Sequence, residues 1–195
     1  MHKQLSCQLC QTHYVSNDKH MTIQQSPKNE NPSTERDRLF AAIGRIVVNF
    51  QQIELCVSEA LAQALGLPSL ENRYIVQASM SFRQKVDLLM ELLNRTTDHD
   101  FTCSTPLARR ALGAAEEFRN GVVHAFWGID GMGKWIRTKS TLKGKHGFAL
   151  KTTEADINFL EEASDALVTV RHWEFKNDDS LQIAIDVFSK YHGQA

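Results

Sequence analysis

The fold is indicated first by one long segment, STERDRLFAAIGRIVVNFQQIELCVSEALAQALGLP (Ser33–Pro68). Ser33-Thr34 can cap a helix, and acidic residues follow in the first turn, where they favour a helix N-terminus. Apolar residues then recur at intervals of three and four, the pattern of one buried helical stripe: Phe40, Ile43, Val47, Phe50, Val57 and Leu61. Gly66 and Pro68 end the pattern, so the segment predicts a first helix of about 30 residues.

Two further helices are expected downstream of this segment. The second runs from about Glu71 to Arg95, and its inward-facing residues again follow helical spacing: Ile75, Phe82, Val86, Leu89 and Leu93. A polar loop, Thr96–Thr105, leads to Pro106, a residue that is favourable in the first turn of a helix. The third helix is expected to end near Trp127-Gly128.

The pattern changes after the third helix. Glycines punctuate two short runs, Lys134–Lys139 and His146–Thr152, which are typical of the strands of a β-hairpin. A fourth helix is expected over about 153–175, capped by Thr153, and a short fifth helix over about 177–191. The sequence therefore predicts an all-α fold, a bundle of about five helices with a β-hairpin inserted after the third.

The first 33 residues differ in character from the rest of the chain. They show little apolar periodicity, so we expect residues 1–33 to form a flexible N-terminal tail and residues 34–195 to form one helical domain. The tail contains a CxxCxxH pattern (Cys7–His13), with His20 further on. This pattern could be read as a zinc site. The spacing between the cysteine pair and the histidine pair is too short for a common zinc finger, however, and no hydrophobic element follows to pack on a metal.

Charge and hydropathy limit the classes of function. A net charge of -1 over 195 residues gives no global sign of nucleic-acid binding, so any such site must be a local patch. The four cysteines form no paired framework, and no signal peptide or long apolar run is evident. We therefore expect a protein of the cytoplasm, without membrane association.

The segment with the clearest chemistry is AAEEFRNGVVHAFWG (Ala114–Gly128), which contains Arg119-Asn120-x-x-x-His124. An arginine and a histidine five residues apart are common, but requiring asparagine directly after the arginine lowers the chance expectation to about 0.02 per such chain. The structural alternative is a solvated helix face in which Glu116 pairs with Arg119.

On these three motif residues the chain resembles the HEPN superfamily (higher eukaryotes and prokaryotes nucleotide-binding domain). Its ribonucleases carry R-[NH]-x-x-x-H on a late helix of the bundle. The resemblance extends in helix order over roughly residues 34 to 192, and the hairpin lies outside the family's core pattern. It implies a metal-independent endoribonuclease that dimerises to bring two motifs together, and many such enzymes act in toxin–antitoxin or antiviral (phage-defence) systems.

The residue types suit RNA cleavage by attack of the 2′-hydroxyl on the adjacent phosphorus. His124 supplies a group of near-neutral pKa for proton transfer, and the Arg119 guanidinium can stabilise charge on phosphoryl oxygens. Asn120 lies only about 40° from His124 around a helix and can orient the ring or the phosphate. We therefore expect these three residues to be catalytic, with no metal or organic cofactor.

One chain is expected to hold only part of this site. Arg119 and His124 are about 140° apart around the helix, and one histidine cannot easily serve as both acid and base. A homodimer would supply a second histidine and arginine. Small residues at Gly121, Ala125 and Gly128 predict the face at which the two motif helices meet.

Glu54 is a candidate supporting residue of the same site. It stands in register with the apolar stripe of the first helix, with no basic residue three or four positions away. A carboxylate in such a place needs a partner. It either pairs with Arg119 or orients His124, or it lies at the edge of the stripe and reaches water.

The hairpin region predicts an RNA-binding patch. It combines cations with aromatic residues and has no acid between Gly131 and Thr153. Such a mixture suits single-stranded RNA through phosphate attraction and base stacking. The proposed contacts are Lys134, Trp135, Arg137, Lys139, Lys143 and Lys145. The same patch could be ordinary solvated surface, or could bind an acidic partner such as an antitoxin, and the domain as a whole could be a catalytically silent module that binds a protein or a nucleotide.

Overall fold

A computed structural model describes residues 32–67, 69–95, 102–143 and 147–193. These residues form six α-helices, one 3-10 turn (Trp173–Phe175) and one three-stranded antiparallel sheet. In chain order the elements are α1 Pro32–Ala64, α2 Leu70–Ser79, α3 Phe82–Arg95, α4 Thr105–Val123, β1 Phe126–Ile129, β2 Trp135–Lys143, β3 Gly147–Glu154, α5 Ile157–Arg171 and α6 Asp178–Gly193. The mostly helical fold is confirmed, with six helices instead of about five and three strands instead of two.

Helix α1 lies at the centre of the bundle and contacts α2, α3, α4 and α5. Its fully buried residues follow helical spacing: Leu39, Ala42, Ile46, Phe50, Ile53, Val57 and Leu61. The predicted stripe was wrong in its first half, where Phe40 is 55% exposed and leans on Trp135 of the sheet. Several apolar residues follow one another there, so spacing alone did not fix which of them faces the core.

Helix α1 also has the length and composition of a membrane-spanning helix. Over Thr34–Ala64 it is apolar enough to meet that criterion, and 33% of its most apolar window is buried inside the structure. Core helices of soluble proteins meet the same criterion, so the finding is weak. The expectation of no membrane association stays a prediction.

The predicted second helix is interrupted near its middle. Ser81 starts α3 with a reciprocal cap: its backbone N–H donates to Gln84 Oε1 at 2.9 Å, and its Oγ accepts from the Gln84 N–H at 3.4 Å. The break turns α2 so that Ile75, predicted to face inward, is 58% exposed. The Ser-x-x-Gln spacing was the sequence signal for this break.

Helix α4 begins as predicted at Thr105-Pro106 but ends four residues before its predicted end. His124 is its C-terminal cap residue, and its N–H donates to the Asn120 carbonyl at 3.1 Å. The chain then enters β1, and the Trp127 indole donates to the Val122 carbonyl at 3.0 Å, which satisfies one of the last free carbonyls of the helix.

The predicted hairpin is confirmed as β2–β3, and β1 extends it into a sheet of order β1-β2-β3. Trp127 pairs with Arg137, and Lys139 pairs with Lys151. Because side chains alternate across a strand, these residues and Trp135 share one face of the sheet. The half-buried Trp127 and Trp135 pack against the hydrophobic core.

The last two helices follow the sheet. Asp156 caps α5 by accepting from the Phe159 N–H at 3.0 Å, whereas the predicted cap, Thr153, belongs to β3. Helix α5 ends at Arg171, short of the predicted end. Helix α6 begins where it was expected, with Asn177 Oδ1 accepting from the Ser180 N–H at 3.0 Å.

Two predicted segments fall outside the described residues. The tail over 1–33, with its CxxCxxH pattern, lies outside them except that α1 begins at Pro32. Most of the polar loop before α4, residues 96–101, also lies outside them.

Candidate functional site

The motif occupies the last turn of α4, immediately before the sheet. Asn120 is half-buried and His124 is exposed. His124 is one turn beyond Asn120 and is linked to it by the backbone hydrogen bond that closes the helix. The two side chains therefore lie at the solvent-facing end of α4, where another molecule can reach them.

Arg119 is directed to the opposite side of the helix, towards α1. Its guanidinium carbon lies 4.2 Å from the centre of the Phe50 ring, an arrangement that attracts a cation to the face of the ring. The Arg119 Nε is enclosed, and no acceptor among the described residues receives its hydrogen. The side chain as a whole is half-buried. Arg119 is thus a cation with an unsatisfied donor on the α1 side of the helix whose last turn carries Asn120 and His124.

Neither carboxylate considered as a partner for Arg119 pairs with it. Glu54 Oε1 lies 3.4 Å from Nζ of Lys85, a residue of α3. Glu116 Oε2, on α4, lies 3.4 Å from Nε of Arg83, which is also on α3. In the described part of the chain Arg119 has no ion pair. Of the alternatives for Glu54, pairing with Arg119 is not what the structure shows: the carboxylate pairs with Lys85, because a lysine whose side chain is only 3% exposed needs an anionic neighbour. The Glu54 side chain is itself 38% exposed, as expected of a residue at the edge of the stripe that reaches water.

The three small residues predicted to form the dimer face, Gly121, Ala125 and Gly128, do not lie together on one helix. Helix α4 ends at Val123, so Ala125 lies in the following turn and Gly128 in β1. Gly121 is buried inside its own chain, where an added Cβ would stand 2.7 Å from Cε1 of Tyr191 on α6. The small residue at this position allows α4 and α6 to approach each other.

Arg137 also occupies a different place from the one expected of an RNA contact. It is only 7% exposed, and its guanidinium carbon lies 3.8 Å from the centre of the Tyr191 ring. Burial raises the pKa of Tyr191, while the charge and hydrogen bonding of Arg137 oppose that rise. Arg137 therefore joins the sheet to α6 from within and is not part of the exposed basic surface.

The rest of the predicted patch contains one lysine in an ion pair and others that have no ion pair with any described residue. Lys134 forms an ion pair with Glu154 at 3.0 Å, and the half-buried Trp135 packs edge-on against Phe40. Lys139 and Lys151 are both exposed and stand directly opposite each other on β2 and β3. Two like charges in this position repel unless an anion lies between them. Lys145 and the side chain of Lys143 fall outside the described residues.

Exposed apolar residues follow the motif, and the sequence analysis did not identify them. They lie at the end of α4, in β1 and in the turn after it, with Phe126 and Ile129 on opposite faces of the strand: Val123, Phe126, Ile129 and Met132. Phe126 is 75% exposed and Met132 is 80% exposed. Strand β1 is also an edge of the sheet, and an edge strand with exposed apolar side chains is a common place for another chain to bind.

A second group of titratable residues lies near the other end of α4. Burial raises the pKa of Glu174, in the 3-10 turn, to about 7. The nearby Cys103 donates to the Trp173 carbonyl at 3.2 Å, and burial raises its pKa as well. Cys103 precedes α4, so about 21 Å of helix separates it from the first residue of the motif. Within the described ranges, no group of three or more histidine, cysteine or acidic residues has the arrangement of a metal site.

Comparison with known proteins adds no assignment, because no family model, curated protein or solved structure matches the chain.

Proposed function

We propose that this protein is a HEPN-type, metal-independent endoribonuclease. The observation that carries the proposal is the last turn of α4, where the half-buried Asn120 and the exposed His124 follow an arginine that has no carboxylate partner among the described residues. A half-buried cation that no carboxylate of the described residues neutralises is suited to binding an external anion, and the phosphodiester of RNA is such an anion.

In this mechanism His124 moves the proton of the attacking 2′-hydroxyl. Arg119 binds the phosphoryl oxygens and stabilises the charge that develops on them, and Asn120 orients the histidine ring or the phosphate. The leaving 5′-oxygen takes up a proton from the second histidine of the proposed homodimer, and the product strand keeps a 2′,3′-cyclic phosphate. The chemistry needs no metal or organic cofactor.

The complete site is proposed to form in a homodimer. Arg119 leans on α1, whereas His124 is exposed at the helix end, so the two side chains of one chain leave from different sides of α4. A two-fold arrangement would place the arginine or the second histidine of one chain beside His124 of the other. The exposed Val123 and Phe126 follow at this end of the helix and are side chains that such a contact would cover.

The exposed lysines of the sheet are proposed to bind the RNA backbone. A phosphate between Lys139 and Lys151 would remove the repulsion between the two charges, and each neutralised phosphate adds to affinity in a salt-dependent way. Such an enzyme would act in the cytoplasm, and a toxin–antitoxin or antiviral defence role, with an antitoxin or other protein as regulator, fits a nuclease of this type.

The test is cleavage of total cellular RNA by the purified protein in excess EDTA. We expect cleavage to continue and to leave 2′,3′-cyclic phosphate or 3′-phosphate ends, because the first step uses neither a metal nor water. His124→Ala is the control and should be folded and inactive. Products with 5′-phosphate ends that disappear on chelation would exclude this mechanism.

A second candidate is a catalytically silent helical module that binds a protein partner. The exposed Phe126, Ile129 and Met132 favour it, because apolar side chains at a sheet edge are suited to covering by another chain. In that case no RNA would be cleaved under any condition, and Phe126→Ser would abolish partner binding while His124→Ala would not.

A further inference from the structure

The inference concerns Lys85, which pairs with Glu54 of α1 and which the sequence did not connect with the motif. The Phe50 ring that carries Arg119 packs edge-on against Phe82 of α3, with ring centres 4.9 Å apart. Lys85 follows Phe82 by three residues and Glu54 follows Phe50 by four, so each adjoins its phenylalanine on the same helix face. The Lys85–Glu54 ion pair thus lies beside the aromatic pair that supports Arg119.

Glu54 is the nearest carboxylate along α1 to the place where Arg119 rests. One helical turn, about 6 Å, separates it from Phe50, and a glutamate side chain can span much of that distance. Its side chain is 38% exposed and so is not confined by packing. Without a competing cation, Glu54 would be free to bond with the enclosed Arg119 Nε.

We propose that Lys85 is a positioning residue that holds Glu54 away from Arg119 and so keeps the arginine available to an external phosphate. The buried Lys85 ammonium needs Glu54 as its counter-charge, and for this reason Glu54 pairs with Lys85 and not with Arg119. The inference rests on the proposed function for its consequence in RNA cleavage. The availability of Arg119 can be measured without that function.

The experiment compares four forms of the full chain: wild type, Lys85→Met, Glu54→Gln and the double variant. Phenylglyoxal, which modifies accessible guanidinium groups, is the probe, and peptide mass spectrometry reads the modification of Arg119. Arg110, an exposed residue of the same helix, is the internal reference. Cleavage of total cellular RNA is measured in parallel.

Lys85→Met is expected to lower both the modification of Arg119 and the rate of cleavage by about tenfold, because Glu54 then pairs with Arg119. The double variant should return both to within about twofold of wild type, since no carboxylate remains to occupy the arginine. Glu54→Gln alone should keep Arg119 reactive but lower the melting temperature by about 5 °C, because it leaves a buried ammonium without its partner.

Two further variants separate this role from a general effect on folding. Lys190→Met removes a lysine that pairs with Glu162 at 3.5 Å on the surface, and it should leave Arg119 unchanged. Lys85→Gln should reproduce the loss seen in Lys85→Met if the methionine variant does not fold.

The inference would be overturned if Arg119 were modified as readily in the folded Lys85 variants as in wild type. It would also be overturned if Glu54→Gln lowered the modification of Arg119 as much as the Lys85 variants do. If Arg119 reactivity follows the expected pattern while no form cleaves RNA, the proposed nuclease function is wrong and the role of Lys85 stands.

Discussion

Two arginines near α4 each lie over an aromatic ring, yet their surroundings differ. Arg137 reaches from β2 over Tyr191 of α6 and is 7% exposed, with the sheet and the helices closing around it. Arg119 reaches from α4 over Phe50 of α1 and is only half enclosed, with an unsatisfied Nε in the described structure. The same kind of contact, an arginine over an aromatic ring, encloses the cation in the case of Arg137. In the case of Arg119 it leaves the cation half-exposed.

The difference shows that residue type and ring contact do not by themselves identify a functional cation. The Tyr191 side also contains Gly121, whose missing side chain leaves room for the ring, so Gly121 and Arg137 both serve packing there. On the Phe50 side the nearby carboxylate is held by Lys85, and the arginine keeps its charge for another partner. We therefore expect the two sides to respond to mutation in opposite ways.

The largest expected effect is on catalysis at Arg119. Arg119→Lys keeps the charge but removes the planar fork, so we expect the cleavage rate to fall about 100-fold while RNA binding changes little. The melting temperature should stay close to that of wild type, because the site is half-exposed. Rates and RNA affinities measured side by side test this, and equal losses in both would mean that Arg119 only attracts RNA.

The next effect is on stability at Gly121. Gly121→Ala places a Cβ 2.7 Å from the Tyr191 ring, which must move, so we expect a loss of about 2 kcal/mol in the free energy of unfolding. The matched control is Gly113→Ala on the same helix, where the Cβ would meet only the flexible Arg83 side chain at 3.5 Å. That change should be neutral or stabilise by up to about 1 kcal/mol, because alanine favours helix.

Urea denaturation and sedimentation together test the Gly121 prediction. A Gly121→Ala protein of normal stability that has lost its dimer would mean that this helix face meets a partner chain instead of Tyr191.

The smallest expected effect is on stability at Arg137. Arg137→Lys keeps the charge but loses the flat contact with Tyr191, so we expect a loss of about 1 kcal/mol, or roughly 3 °C in melting temperature. The cleavage rate below the melting transition should be unchanged. A large loss of rate in a protein of unchanged stability would place Arg137 in the site and remove the contrast with Arg119.

Local rules accounted for much of the fold. The start of α4 at Thr105-Pro106, the start of α6 near residue 177 and the β2–β3 hairpin were predicted correctly because each depends on residues within a few positions. The break before α3 has an equally local signal in Ser81 and Gln84 that the periodicity of the surrounding apolar residues obscured. Where the apolar residues were continuous, as around Phe40, the orientation of the helix was not predictable from spacing.

The sequence by itself determined the motif, its place in the third predicted helix and the residue types, Arg119, Asn120 and His124, on which the proposed chemistry rests. Only the tertiary structure decided what each side of that helix meets. Spacing fixes the angle between two side chains on one helix, but the identity of the neighbouring helix depends on packing between distant parts of the chain. Glu54 therefore pairs with Lys85, 31 residues away, and Gly121 accommodates Tyr191 because the bundle brings them together.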